Sequence, residues 1–244
     1  LSGAQGLAPL ALQLLRAAPE HDLDIRRYQV DELTRRLAGP EGTSAAFVRD
    51  LDRAMMQYLC DLHGGRAAWA SRVSAAPDTG FDPRQRLATV RDAQGLAQAI
   101  DAAAPAIPLY GRVKAALAQY RELSRATPDW PALPPVARTA IHAGEPYTGA
   151  ALLQARLQLL GDLDAQAPKG SDGIYTPALA GAVRRFQARH GLDEDGVLGA
   201  ATVAALSVPP AHRIAQLALT LERLRWLPPP PAHGRVVVVN VPTY

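Results

Sequence analysis

The sequence predicts a mainly α-helical protein with four parts. These are a helical scaffold over residues 1–147, a small three-helix module over 148–207, a connecting helix packing on the scaffold over 208–227, and a linker with one β-strand over 228–244. Three observations carry this. Apolar residues recur at three- and four-residue intervals through most of the chain, the period of an amphipathic helix. The 19 Gly and 21 Pro fall mostly between those stripes, where they punctuate. A single stretch near the C-terminus, Arg235-Val-Val-Val-Val-Asn-Val241, is β-branched enough to read as a strand.

In the scaffold, Leu7, Leu10, Leu14 and Leu15 lie on one helical face. A second segment begins at Asp22-Leu23-Asp24, carries Tyr28, Leu33 and Leu37 at helix-like intervals, and stops at Gly39-Pro40. Phe47, Leu51, Ala54, Met55, Tyr58, Leu59 and Leu62 then form a continuous apolar face that ends at Gly64-Gly65. Asp92 to Ala103 and Leu109 to Ala126 predict two more helices, separated by the breakers Pro105 and Pro108. Pro128, Pro131, Pro134 and Pro135 mark an extended connector.

The module opens with a helix that places Leu153, Leu157 and Leu160 on one face and ends at Gly161. An internal near-repeat follows, in which DGIYTPALAGAV (172–183) aligns with DGVLGAATVAAL (195–206). Each copy starts with Asp-Gly, a tight turn because Gly tolerates positive φ and Asp bonds the nearby backbone. The first copy leads into a helix with the stripe Leu179, Ala182, Val183 and Phe186 and a Gly191 stop; the second closes on Leu206. Two turn-plus-helix units against a first helix make a bundle of about sixty residues, a size that is marginal alone. Beyond Pro209-Pro210, Ile214, Leu217, Leu221 and Leu224 define the connecting helix, which the prolines at 228–231 end. The strand after them cannot satisfy its backbone alone and so belongs to something larger.

Composition bounds the function. The net charge is +3 and the pI about 9.2, yet Lys and Arg alternate with acids and no long run of one sign exists. No nucleic-acid motif or aromatic-basic platform is present, so nucleic acid is not an expected partner. A mild positive balance suits an anionic polymer. Cys60 is the single cysteine, so no intrachain disulfide forms. The apolar runs are too short for a transmembrane segment. The chain begins at Leu1 without a visible leader, which reads as a processed or trimmed chain.

The run Ala182, Val183, Phe186, Gln187, Gly191, Leu192, followed by Asp195, Gly196, Gly199 and Thr202, resembles the three-helix peptidoglycan-binding module of bacterial cell-wall enzymes. Arg213-Ile214, then Glu222-Arg223-Leu224-Arg225-Trp226-Leu227-Pro228, then the Val-rich strand, resemble the junction in large bacterial L,D-transpeptidases. Leu51-Asp52, Leu62 to Arg66, and Tyr110 through Leu117 to Tyr120-Arg121 are more loosely similar to the scaffold that precedes the module there.

The resemblance implies an exported, periplasmic or envelope protein of cell-wall biogenesis, whose parent enzyme joins peptidoglycan stem peptides through a cysteine acyl-enzyme. It implies a glycan strand or stem peptide as partner, together with the protein's own catalytic domain, truncated here after its first strand. The family's Ser-His-Gly-Cys-Arg-like motif does not occur in this sequence, so the chain should be inactive by itself, with no catalytic residue of its own. Two other readings remain: a stand-alone peptidoglycan-binding adaptor, or the binding part of a cell-wall hydrolase.

The substrate-binding candidates are Tyr175, Arg184, Gln187, Arg189, His190 and Asp195. For all but Asp195, a plain alternative stands beside the ligand role. Tyr175 packs under the turn or stacks on a sugar; the arginines and Gln187 are solvated or bind sugar hydroxyls and carboxylates. His190 caps its helix or touches glycan. Cys60, three residues before His63 on an apolar helix face, reads as structural rather than nucleophilic. Two such residues do not make a zinc site, and neither metal nor cofactor is expected.

Overall fold

The computed structural model describes residues 5–65, 80–136, 140–167 and 173–227. The described chain is mainly helical: ten α-helices with short 3-10 turns and one two-stranded sheet. It divides into two compact units, one from residues 1–119 with 215–244, the other from 120–214. The second therefore lies, in chain order, between two segments of the first.

In the first unit, α1 (Ala8–Arg16) buries Ala8, Ala11, Leu12 and Leu15. This stripe is rotated from the leucine face expected, and Leu7, Leu10 and Leu14 are only half-buried. The alanines decide it, since the 3.6-residue period places 8, 11, 12 and 15 together and small side chains let neighbours approach. The Asp22 segment is not a single helix. Ile25–Tyr28 form a 3-10 turn, and α2 (Val30–Ala38) follows after Gln29 in the left-handed region. α2 ends at Gly39 as expected.

α3 (Ala45–Gly64) starts with the Ser44 hydroxyl accepting from Phe47 N at 3.1 Å. It buries every predicted apolar residue of its face, and Asp61 with them. Asp61 is fully buried because it accepts from Tyr28 Oη at 3.0 Å, Gln57 Nε2 at 2.7 Å and Arg27 Nε at 3.1 Å. A short α4 (Pro83–Thr89), not evident from the periodicity, is followed by α5 (Ala93–Ala103) and α6 (Pro108–Ala126). Asp82 and Asp92 cap the first two through Arg84 N and Gly95 N. Pro108 starts α6 rather than merely separating helices, a position where its missing N–H has no cost.

The connecting helix, numbered α10 because three helices of the second unit precede it, covers Pro210–Leu224. Its C-terminal end belongs to the first unit. Leu221, Glu222, Leu224 and Arg225 are buried there, while Trp226 stays about half exposed. Arg225 donates from Nη1 to Glu222 Oε2 at 2.9 Å and from Nη2 to Tyr110 Oη at 3.1 Å and the His21 carbonyl. Arg223, two residues earlier, is exposed. At the end of α3, Gly65 has φ +72°, and a Cβ there would lie 2.6 Å from Glu222 Oε1 and 2.8 Å from Trp226 Nε1. The backbone and the Glu222 and Trp226 side chains come close at that point, and the positive φ is what favours glycine there.

In the second unit, α7 (Ala150–Leu159), α8 (Pro177–His190) and α9 (Ala200–Ser207) form the three-helix module. Their shared core is Leu153, Leu157, Leu179, Ala182, Val183, Phe186, Leu198 and Leu206 with Tyr147 and Tyr175. Both Asp-Gly turns occur with positive φ, at Gly173 and Gly196; Asp172 lies outside the described residues. Each turn leads to a pairing with the segment before α7. Ile174 bridges Pro146, and β2 (Leu198–Gly199) pairs antiparallel with β1 (Ala140–Ile141). The near-repeat is thus a structural one.

The Pro-rich connector is bonded into this unit rather than free. Trp130 Nε1 donates to Leu206 O at 3.3 Å, Leu133 N to Ser207 Oγ at 3.3 Å, and Tyr147 Oη to Pro134 O at 2.8 Å. Arg156, buried on α7, donates to Leu206 O and Pro131 O and lies 4.4 Å from the Trp130 ring centre. The predicted strand at 235–241 lies outside the described residues. No described helix is long and apolar enough to cross a membrane.

Stability of the first unit should depend on His21. Its ring is buried, with Nδ1 at 3.0 Å from Tyr110 Oη and Nε2 at 3.5 Å from Lys114 Nζ. Burial, then the charges of Lys114 and Arg225, lower its pKa from 6.5 to about 4. Between those values the unfolded chain binds a proton that the folded chain refuses, so stability is intact above pH 6.5 and falls towards pH 4. The loss is about 3 kcal/mol. Native-state hydrogen exchange of first-unit amides at pH 7 and pH 4 should show it, and His21→Gln should remove that part of the pH dependence. Equal pH dependence in the variant would refute the assignment.

Candidate functional site

The sequence candidates cluster on α8 and the turn that follows it, and the structure separates them into two groups. Tyr175 and Gln187 are interior. Tyr175 is fully buried and donates from Oη to Gly196 O at 2.8 Å; burial, then the nearby Asp195 charge, raises its pKa well above the usual phenol. Gln187 is 2 % exposed. Its Nε2 donates to Asp195 Oδ1 at 2.9 Å, Val197 O at 3.1 Å and Thr202 Oγ1 at 3.3 Å, and its Oε1 accepts from Gly196 N at 2.8 Å. Neither side chain presents a polar atom to a ligand in this arrangement.

The local sequence accounts for this. Thr176 caps α8, accepting from Leu179 N at 3.3 Å, and Pro177 occupies its first turn. That start sets the phase in which Val183, Phe186 and Gln187 all turn inwards. Gly191, with φ +65°, ends the helix and returns the chain towards it. At Gly196 a Cβ would lie 2.9 Å from Ala180 O, so the second Asp-Gly turn comes within backbone contact of α8. There it is held by Gln187.

Asp195 is exposed at the same turn. Its Oδ1 accepts from Val197 N at 2.8 Å as well as from Gln187, and these bonds, the backbone one first, hold its carboxyl below the usual range. Arg184 and Arg189 are also at the surface, and His190 is half-buried. Arg184 is exposed and donates from Nη2 to Asp195 O at 3.1 Å. Arg185, exposed beside it, donates from Nε to Asp162 O at 2.8 Å.

Arg189 instead forms a two-point ion pair with the buried Asp162, Nε to Oδ1 at 3.0 Å and Nη2 to Oδ2 at 2.5 Å. The His190 ring stacks on Phe186 with centres 3.9 Å apart, and Nδ1 donates to Phe186 O at 2.9 Å. Burial, ahead of the other causes, lowers its pKa, so it is neutral near pH 7 and keeps Nε2 as an acceptor.

Asp162, Arg156 and Trp130 were not singled out in the sequence, although they fasten the module's turn and connector. The only signal for Asp162 was an acid directly after a helix-ending glycine, which reads equally as solvated loop. Elsewhere, Cys60 is half-buried, and burial pushes its thiol pKa up. His63 stacks on Phe81 with centres 4.2 Å apart. Among the described residues no three His, Cys, Asp or Glu side chains come together as a metal site.

Comparison with known families agrees with the module's geometry. Residues 148–206 match the model of a peptidoglycan-binding domain, and residues 2–117 match that of a scaffold domain. No curated protein matches the chain. The chain therefore carries a peptidoglycan-binding domain together with a scaffold domain, which supports a cell-wall-binding role.

Gln187→Leu tests the interior assignment. Its removal leaves Gly196 N and the Asp195 turn without their partner and should destabilise the second unit by about 2–3 kcal/mol. Urea unfolding followed at second-unit amides measures this. The variant that remains folded should keep its ligand affinity; a folded variant with normal stability and lost binding would make Gln187 a ligand contact.

Proposed function

We propose that the chain is the non-catalytic, substrate-positioning part of an L,D-transpeptidase. In this reading it holds peptidoglycan near a thiolate supplied by a catalytic domain that follows it, in the periplasm or cell envelope, during wall cross-linking and the maintenance of cell shape. The observation that carries the proposal is the order of parts. A scaffold match at 2–117 precedes a peptidoglycan-binding match at 148–206, and the chain then returns to the scaffold unit through the Glu222–Trp226 segment.

That return supports a positioning role, because whatever follows residue 227 leaves from the scaffold rather than from the end of the module. Holding the polymer on a linked module raises its effective concentration at a neighbouring site without adding chemistry. The nucleophile in this reading is not Cys60, whose half-buried thiol has a raised pKa that favours the protonated, unreactive form.

The test is muropeptide analysis after the complete gene product is incubated with purified peptidoglycan. Cross-linked stem peptides should form, vanish on thiol alkylation, and persist in Cys60→Ala. Absence of cross-links, or their loss in Cys60→Ala with the fold intact, would overturn the reading. A reading frame that stops directly after codon 244 would favour a stand-alone adaptor instead.

A further inference from the structure

We infer that the module takes peptidoglycan by the carboxylates of its stem peptides rather than by the faces of its sugars, with Arg184 and Arg185 as the receiving pair. The inference rests on the peptidoglycan-binding reading above and adds the ligand class and the contact residues.

The aromatic rings argue first. A pyranose offers apolar C–H faces that stack on exposed aromatic rings. In the second unit those rings are already used. Tyr147, Tyr175 and Phe186 are each at most 3 % exposed. Trp130 is half-buried, its indole N–H on Leu206 O and its face covered by the Arg156 guanidinium. Tyr120 is half-buried, and His190 lies over Phe186. Among the described residues of this unit, none of these rings is exposed as a sugar platform.

The guanidinium groups argue next. Arg189 is neutralised by Asp162, but among the described residues Arg184 and Arg185 make one hydrogen bond each, both to a backbone carbonyl. Neither is ion-paired with a carboxylate among the described residues. A carbonyl acceptor fixes the orientation of a guanidinium without cancelling its charge. The remaining N–H groups keep the planar fork that matches a carboxylate in two bonds. Pre-ordering also lowers the entropy lost on binding.

Residues i and i+1 point to different flanks of a helix, so the two cations sit on either side of the α8 ridge. Arg184 lies beside the 195 turn and Arg185 beside Asp162. That arrangement accepts two separated carboxylates of a peptide. Arg184 meets the backbone of Asp195, and the exposed acids Asp193, Glu194 and Asp195 of that turn disfavour a uniform polyanion such as a phosphate polymer. They are compatible with a peptide that carries amines as well as carboxylates.

The experiment compares retention of the full chain on intact peptidoglycan and on the same material after an amidase has removed the stem peptides. Retention should fall by about tenfold on the stripped glycan, and about tenfold on intact material for the double variant Arg184→Gln/Arg185→Gln. Raising salt from about 0.05 M to about 0.5 M should weaken wild-type retention, since exposed pairs are screened. Soluble stem peptide should compete with the wild-type chain, which keeps the proposal testable if the double variant misfolds. Equal retention on stripped glycan, or an unchanged folded double variant, would overturn this inference while leaving peptidoglycan binding intact. Failure to bind intact material would overturn both.

Discussion

Gln187 stands where α8, the Asp195-Gly196 turn and the start of α9 meet, and one amide serves all three. The helices around it are rich in alanine and leucine, which pack in many registers at similar cost. A buried amide is more selective. Its N–H groups and its carbonyl oxygen all have partners, and a shift of α8 by one residue would strand the amide and the Gly196 N–H together. The surface inherits this constraint. Tyr175 fastens to Gly196 O and Arg184 to Asp195 O, so the placement of the exposed guanidinium follows from the same interior bond network.

The sequence was most legible where a pattern has one physical meaning. The stripe Leu179, Ala182, Val183, Phe186 and the glycines at 173, 191 and 196 behave as their spacing demands, because an apolar face and a positive-φ position leave little choice. It was less legible where two readings share a pattern. The leucines of α1 suggested one face, while the alanines among them define the buried one. Pro108 reads as a breaker and serves as a helix start. α4 is only seven residues long, too short for periodicity to register.

Buried polar groups were the least legible part. Asp61, Arg156, Asp162 and Arg225 each stand in sequence among ordinary surface charges. What makes them interior is a partner far along the chain: Tyr28 for Asp61, Pro131 and Leu206 for Arg156, Arg189 for Asp162, and His21 with Tyr110 for Arg225. A burial that depends on tertiary pairing leaves no local trace. The same reason placed Gln187 among the ligand candidates, since glutamine at a helix surface is the commoner case.

A buried ion pair such as Arg225–Glu222 adds little stability over an apolar pair of the same shape, because both charges lose their hydration. Its contribution here is to geometry. The guanidinium reaches Glu222, the His21 carbonyl and the Tyr110 hydroxyl together from one placement of the α10 end. Gly65 restricts that placement further, because Glu222 and Trp226 occupy the space of its missing Cβ. A leucine in place of Arg225 would still bury apolar surface but would accept neighbouring placements. The buried contacts of Arg225 and Glu222 thus fix the end of α10 within the first unit in a single placement.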